Sequence, residues 1–142
     1  MGERTDPEKL TADLIKALQL LSRDALASAM AAGTMPGTLG VTLAPQLREF
    51  AAAELADVER VAARITSLGG SPSVTVAKLD PPEGAEASVE WLAAMQREGN
   101  DAVVAAIPAD ADDAEGEATE HLLEHIVARK RDVIELLDRA LR

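Results

Sequence analysis

At 142 residues the chain has the size of one domain with a substantial core, and without cysteine it can carry no disulfide, thiolate zinc site, iron–sulfur cluster or cysteine nucleophile. Its formal net charge of −11 argues against nucleic acid or anionic lipid as a partner, since either would require surplus Lys and Arg. Tyrosine is absent, and Trp91 and Phe50 are the only aromatics among abundant Ala and Leu, so the composition predicts an all-α fold. The opening Met1–Asp6 has no apolar signal region, and no stretch approaches the roughly 18–20 apolar residues of a membrane span. A cytoplasmic protein with no membrane partner is expected.

Thr5-Asp6-Pro7-Glu8 reads as a helix start, with a polar cap and a proline in the first turn, where no N–H is needed. The first helix is predicted over about 7–31. Its apolar stripe of Leu10, Leu14, Ala17 and Leu21 runs on into Asp24 and Ser28. Residues 33–40 are rich in Gly and Pro and predict a turn. The second helix follows over about 45–68, burying Leu47, Phe50, Val61, Ile65 and Leu68, with Glu54 and Asp57 or Val58 in mid-stripe and Gly69-Gly70 as C-cap. Residues 69–87 carry Pro72, Pro81 and Pro82 and suit a crossover running the length of a bundle; Ser73–Val76 alternates like an isolated strand and is read as extended chain.

The third helix is predicted over about 88–107, ending before Pro108, with Gln96 and Gly99 in mid-stripe. The fourth spans about 113–141 through Leu122, Ile126, Val133 and Leu136, with His125, Arg129 and Asp132 as inward candidates. Two short-linked helix pairs joined by one long crossover make the connectivity of an antiparallel ferritin-like four-helix bundle.

The run Ala53–Pro72 strengthens that reading. Glu54-Leu55-Ala56-Asp57, Val58-Glu59-Arg60, Arg64-Ile65 and Leu68-Gly69-Gly70-Ser71-Pro72 resemble the second helix of the bacterioferritin and ferritin-like superfamily, whose pattern is Glu-x-x-His, Ala-Glu-Arg, Arg-Ile and Leu-Gly-Gly-x-Pro. In that family the Glu bridges two irons and the His binds one of them. Here Glu54 holds the Glu position and Asp57 stands where His belongs. Leu122–Asp132 is similar to the family's last helix, and the resemblance puts Arg129 at its second Glu and Asp132 at its second His. Asp24 takes the place of the first-helix Glu. Gln96 takes that of the third-helix Glu, with Glu98 as the alternative in a shifted register.

The resemblance thus implies a degenerate di-iron site: Asp24, Glu54, Asp57 and Asp132 as vestigial metal ligands, with Gln96 and Arg129 as further polar groups of the bundle centre. A guanidinium cannot give up its proton to make room for a metal, so Arg129 is expected to replace the metal electrostatically. No catalytic residue and no bound cofactor are expected, and a homo-oligomer, dimer or larger, is implied. One alternative is an iron or manganese protein using a carboxylate-rich centre at the same four acids. Another is a small-ligand binder whose vacated cavity is oriented by Arg129.

Other features read as structural. His121 and His125 share a helix face four residues apart but have no third ligand in view, so a solvated face is expected. A register placing Glu124-His125 at the family motif would recover one histidine. Trp91 is read as packing beneath a loop, and Met30, Met35 and Met95 as core fillers. The acids Asp110, Asp112, Asp113, Glu115 and Glu117 suit a helix N-terminus and lack the spacing of a calcium loop. There is no nucleophile elbow, phosphate loop or dinucleotide fingerprint.

Overall fold

The computed structural model describes residues 6–108 and 113–142 and contains four helices: α1 Pro7–Thr34, α2 Gly37–Ser67, α3 Ala85–Ala106 and α4 Ala114–Ala140. Asp6 caps α1, its carboxylate accepting from the Glu8 and Lys9 amides, and Asp113 caps α4 through the Gly116 amide. Both satisfy N–H groups that the first turn of a helix leaves without partners. Of the acidic segment before α4, residues 109–112 lie outside the described residues.

Two apolar clusters fix how the helices run. One joins Leu14 and Leu21 of α1 to Val61 and Ile65 of α2, Val103 of α3, and Leu123 and Ile126 of α4. The other joins Ala27 and Ala31 of α1 to Leu43 and Leu47 of α2, Val89 and Leu92 of α3, and Val133 and Leu137 of α4. Following each helix from one cluster to the other, α1 and α4 run one way and α2 and α3 the opposite way. Because α2 and α3 are parallel, the chain between them has to travel back along the bundle. Residues 68–84 do so without helix or strand, so Ser73–Val76 is extended connection as expected. Leu79 of this crossover and Trp91 of α3 both pack on the second cluster. Met30 departs from the expectation: it is 37% exposed and not a core filler.

The second helix begins at Gly37, not near 45, and Pro45 lies inside it. The apolar spacing explains why the proline does not break it. Leu43 and Leu47 are buried and Leu39 partly so. Burying a leucine contributes about 1.5–3 kcal/mol, so two outweigh the roughly 3 kcal/mol that an interior proline costs. Pro45 itself faces solvent. Only Met35 and Pro36 then separate α1 from α2, and the backbones meet so closely that a methyl on Gly40 would overlap the Met35 carbonyl oxygen.

Since that neighbour is backbone and cannot swing aside, Gly40→Ala should destabilise the fold by roughly 1–3 kcal/mol in urea denaturation. Gly33→Ala is the matched control, since nothing lies near an added methyl there. It should stabilise by about 0.4–1 kcal/mol.

Candidate functional site

Between the two apolar clusters lies a layer of polar side chains, one or two from each helix. Asp24 and Ser28 come from α1, Glu54 and Asp57 from α2, Gln96 from α3 and Lys130 from α4, and all are buried. Each occupies a position where its helix's apolar stripe demands an inward side chain: Lys130, for example, follows Leu123 and Ile126 and precedes Val133 and Leu137 at three- and four-residue steps.

Lys130 is the centre of this layer. Its side chain has no solvent exposure, and Nζ donates to Asp24 Oδ2 at 2.7 Å and to Gln96 Oε1 at 2.9 Å, with Glu54 Oε2 at 3.6 Å. Gln96 Nε2 in turn donates to Glu54 Oε1 at 2.7 Å. The opposite oxygen of Asp24, Oδ1, accepts from Arg23 Nε at 3.0 Å, while Arg23 also reaches Glu98 and the Met95 carbonyl. Beside this core, Arg129 Nε donates to Asp57 Oδ2 at 2.8 Å, and its guanidinium stands 3.6 Å from Glu54 Oε1. Arg60 holds the other Asp57 oxygen at 3.0 Å. Space for the ammonium comes from Gly99, where a methyl would overlap Asp24 Oδ2 and lie 3.1 Å from Nζ.

Of the residues singled out in the sequence, Asp24, Glu54, Asp57, Gln96 and Arg129 come together here. Asp132 does not: it is exposed and lines a surface groove of about 230 Å³ with Phe50 and Leu136. The reason is rotation. The inward position on α4 is 130, one residue and about 100° from 129, so the residue three further on is Val133, not Asp132. His125 and His121 are likewise exposed, and Glu98 lies on the surface paired with Arg23. Lys130 is the residue the sequence reading missed. The signal was available, since 123, 126, 130, 133 and 137 keep perfect three–four spacing, but a lysine is almost never fully buried without partners, and its partners lie far away in sequence.

Burial raises the carboxyl pKa of Asp24 and of Glu54, desolvation of the charged form outweighing the nearby ammonium of Lys130, which pulls both back. Asp24, Glu54 and Asp57 supply oxygens of the kind a hard cation takes, but the Lys130 ammonium already stands against two of these carboxylates. Among the described residues no group of three or more His, Asp or Glu side chains is placed to hold a metal ion.

Two expectations follow from this electrostatics. Replacing Lys130 by Met leaves buried acids short of a counter-charge, which should cost roughly 3–5 kcal/mol of stability near neutral pH, and less in acid, where those carboxyls take up protons. A carboxyl whose pKa is raised by folding stabilises the fold below its unfolded value, near 4.5 for Glu54, and that contribution is lost as pH rises through the raised value. Wild-type stability, measured in urea from pH 4 to 7, should therefore fall relative to Glu54→Gln as pH increases.

No family model matches the chain, and no curated protein sequence matches it significantly. Solved structures do. A ferritin-like diiron-carboxylate protein from Bacillus anthracis str. Ames superposes at a TM-score of 0.87, with 20% identity over 99% of this chain and 100% of that one. The bacterioferritin-related dodecameric thioferritin of Bacteroides fragilis gives 0.86, with 16% identity over 97% and 87% of the two chains. A Dps protein from Bacillus brevis gives 0.83, with 19% identity over 96% and 97%. The fold is thus that of the ferritin-like bundles, as the Glu54–Pro72 resemblance implied.

Proposed function

We propose that this chain is a ferritin-like protein without an intact dinuclear metal centre, acting as a non-catalytic binding or structural bundle within a homo-oligomer. The observation that carries the reading is the Lys130 ammonium 2.7 Å from Asp24 and 2.9 Å from Gln96. An ammonium has three protons and no lone pair, so it competes with a metal for carboxylate oxygens and cannot join one as a ligand. The remaining donors do not fit a pair of irons either. Asp24, Glu54 and Asp57 are three acids with no imidazole, Gln96 brings no charge, and Arg129 adds a second fixed cation against Glu54 and Asp57. The cations do for the buried acids what metal charge does in a diiron-carboxylate bundle.

The test is aerobic incubation with Fe(II) followed by metal analysis. The expected outcome is no iron held in the bundle and no oxidation above buffer. Two irons per chain, displacing Lys130, would overturn the reading in favour of a carboxylate-rich metal protein. The converse variant, Asp57→His with Gln96→Glu, Lys130→Glu and Val133→His, restores the family's ligand types at the inward positions, and its metal affinity should rise by orders of magnitude.

Assembly is supported by the Bacteroides fragilis neighbour, which is dodecameric, and by two leucines on the surface at the level of the polar layer. Leu26 of α1 is 48% exposed and Leu55 of α2 is 55% exposed. Light scattering should give a mass of two or more chains, and Leu26→Glu with Leu55→Glu should lower it to one. A monomeric wild type would remove the oligomer from the proposal.

A further inference from the structure

The buried trio of Lys130, Asp24 and Glu54 sets an amine, a carboxyl and a second carboxylate together away from water. Nζ lies 2.7 Å from Asp24 Oδ2, both side chains fully shielded from water. The other oxygen of the same carboxyl is held by Arg23 Nε at 3.0 Å. A second carboxylate oxygen, Glu54 Oε2, stands 3.6 Å from Nζ, is buried, and has no hydrogen-bond partner. Gly99 presents no side chain where Asp24 Oδ2 and Nζ meet. We propose that Lys130 and Asp24 condense into an intramolecular isopeptide bond, Nζ to Cγ, releasing one water, with Glu54 relaying the proton and Arg23 holding the carbonyl oxygen.

The atoms balance without any co-reactant. The ammonium passes one proton to Asp24 Oδ2 across the 2.7 Å contact, and the neutral amine attacks Cγ of the protonated acid. The tetrahedral Oδ1 is stabilised by the Arg23 guanidinium, as a fixed cation stabilises any developing oxyanion. Glu54 Oε2 takes a second proton from nitrogen and delivers it to Oδ2, which leaves as water; one N–H remains on the amide. In bulk water an ammonium and a carboxylate do not condense, because both ions are well solvated and water reverses the reaction. Inside the bundle that solvation is lost, and two groups held in contact can reach effective concentrations of about 10⁵–10⁸ M. Condensation also removes one buried charge of each sign, leaving Glu54 and Asp57 against Arg129 and Arg23.

Mass spectrometry of the denatured full chain tests this without any variant. The expected result is a mass lower than the sequence by one water, with tryptic fragments of α1 and α4 joined through Asp24 and Lys130. Asp24→Ala should restore the full mass, and Glu54→Gln should slow the loss of water at least tenfold in freshly refolded protein. A full-length mass after prolonged incubation of the folded chain would overturn the bond. So would loss of water mapped to another aspartate. Either outcome leaves the metal-free reading of the centre untouched, and the bond, if formed, supports the same reading by consuming Asp24 as a ligand; iron binding decides that reading separately.

Discussion

A lysine side chain with no access to water has to be neutralised where it stands, and in this bundle every helix contributes to that task. Asp24 from α1, Glu54 from α2 and Gln96 from α3 converge on Nζ of Lys130 from α4. The desolvation of these groups is of the same order as their attraction, so the cluster's net contribution to stability is small. Its dependence on completeness is large. Remove one member and the rest are stranded in a medium that penalises charge. The flanking Arg23 and Arg129 belong to the same balance, because Asp24, Glu54 and Asp57 are three acids and Lys130 alone does not match them.

Much of this was legible in the sequence. The three–four spacing located four helices, and the proline-rich stretch between Gly69 and Gly84 located the crossover. Asp24, Glu54, Asp57 and Gln96 showed themselves as polar residues on otherwise apolar stripes, and that is where they are buried. What failed was the face of α4. With Leu122, Ile126 and Leu136 on one edge of a broad stripe and Leu123, Ile126 and Leu137 on the other, periodicity allowed either 129 or 130 to point inward. A guanidinium is the commoner buried cation, and the family pattern favoured Arg129 with Asp132. The choice turns on contacts with residues 34 to 106 positions away, which spacing along one helix does not encode. The start of α2 failed for a different reason: a local proline signal was weighed above an apolar stripe that continued through it.

Gly99 shows how a cation can occupy the middle of a close-packed bundle. A lysine reaching from α4 to a carboxylate of α1 passes α3, and a side chain there would overlap the Asp24 carboxylate it reaches and crowd Nζ. Packing at crystal-like density leaves no other room. The residue that admits the ammonium is thus as much a part of the site as those that bond to it, although it makes no hydrogen bond through a side chain.

The polar layer divides the interior into two apolar halves whose buried residues are mostly Leu, Val and Ala. Small aliphatic side chains of this kind on α4 make van der Waals packing a weak discriminator between its native stacking and one slid by a turn along the bundle axis. A slide of about 5.4 Å would place Lys130 among leucines and leave the acids facing Ile126 or Val133. The charges thus act as an axial detent, fixing how far each rod slides past its neighbours.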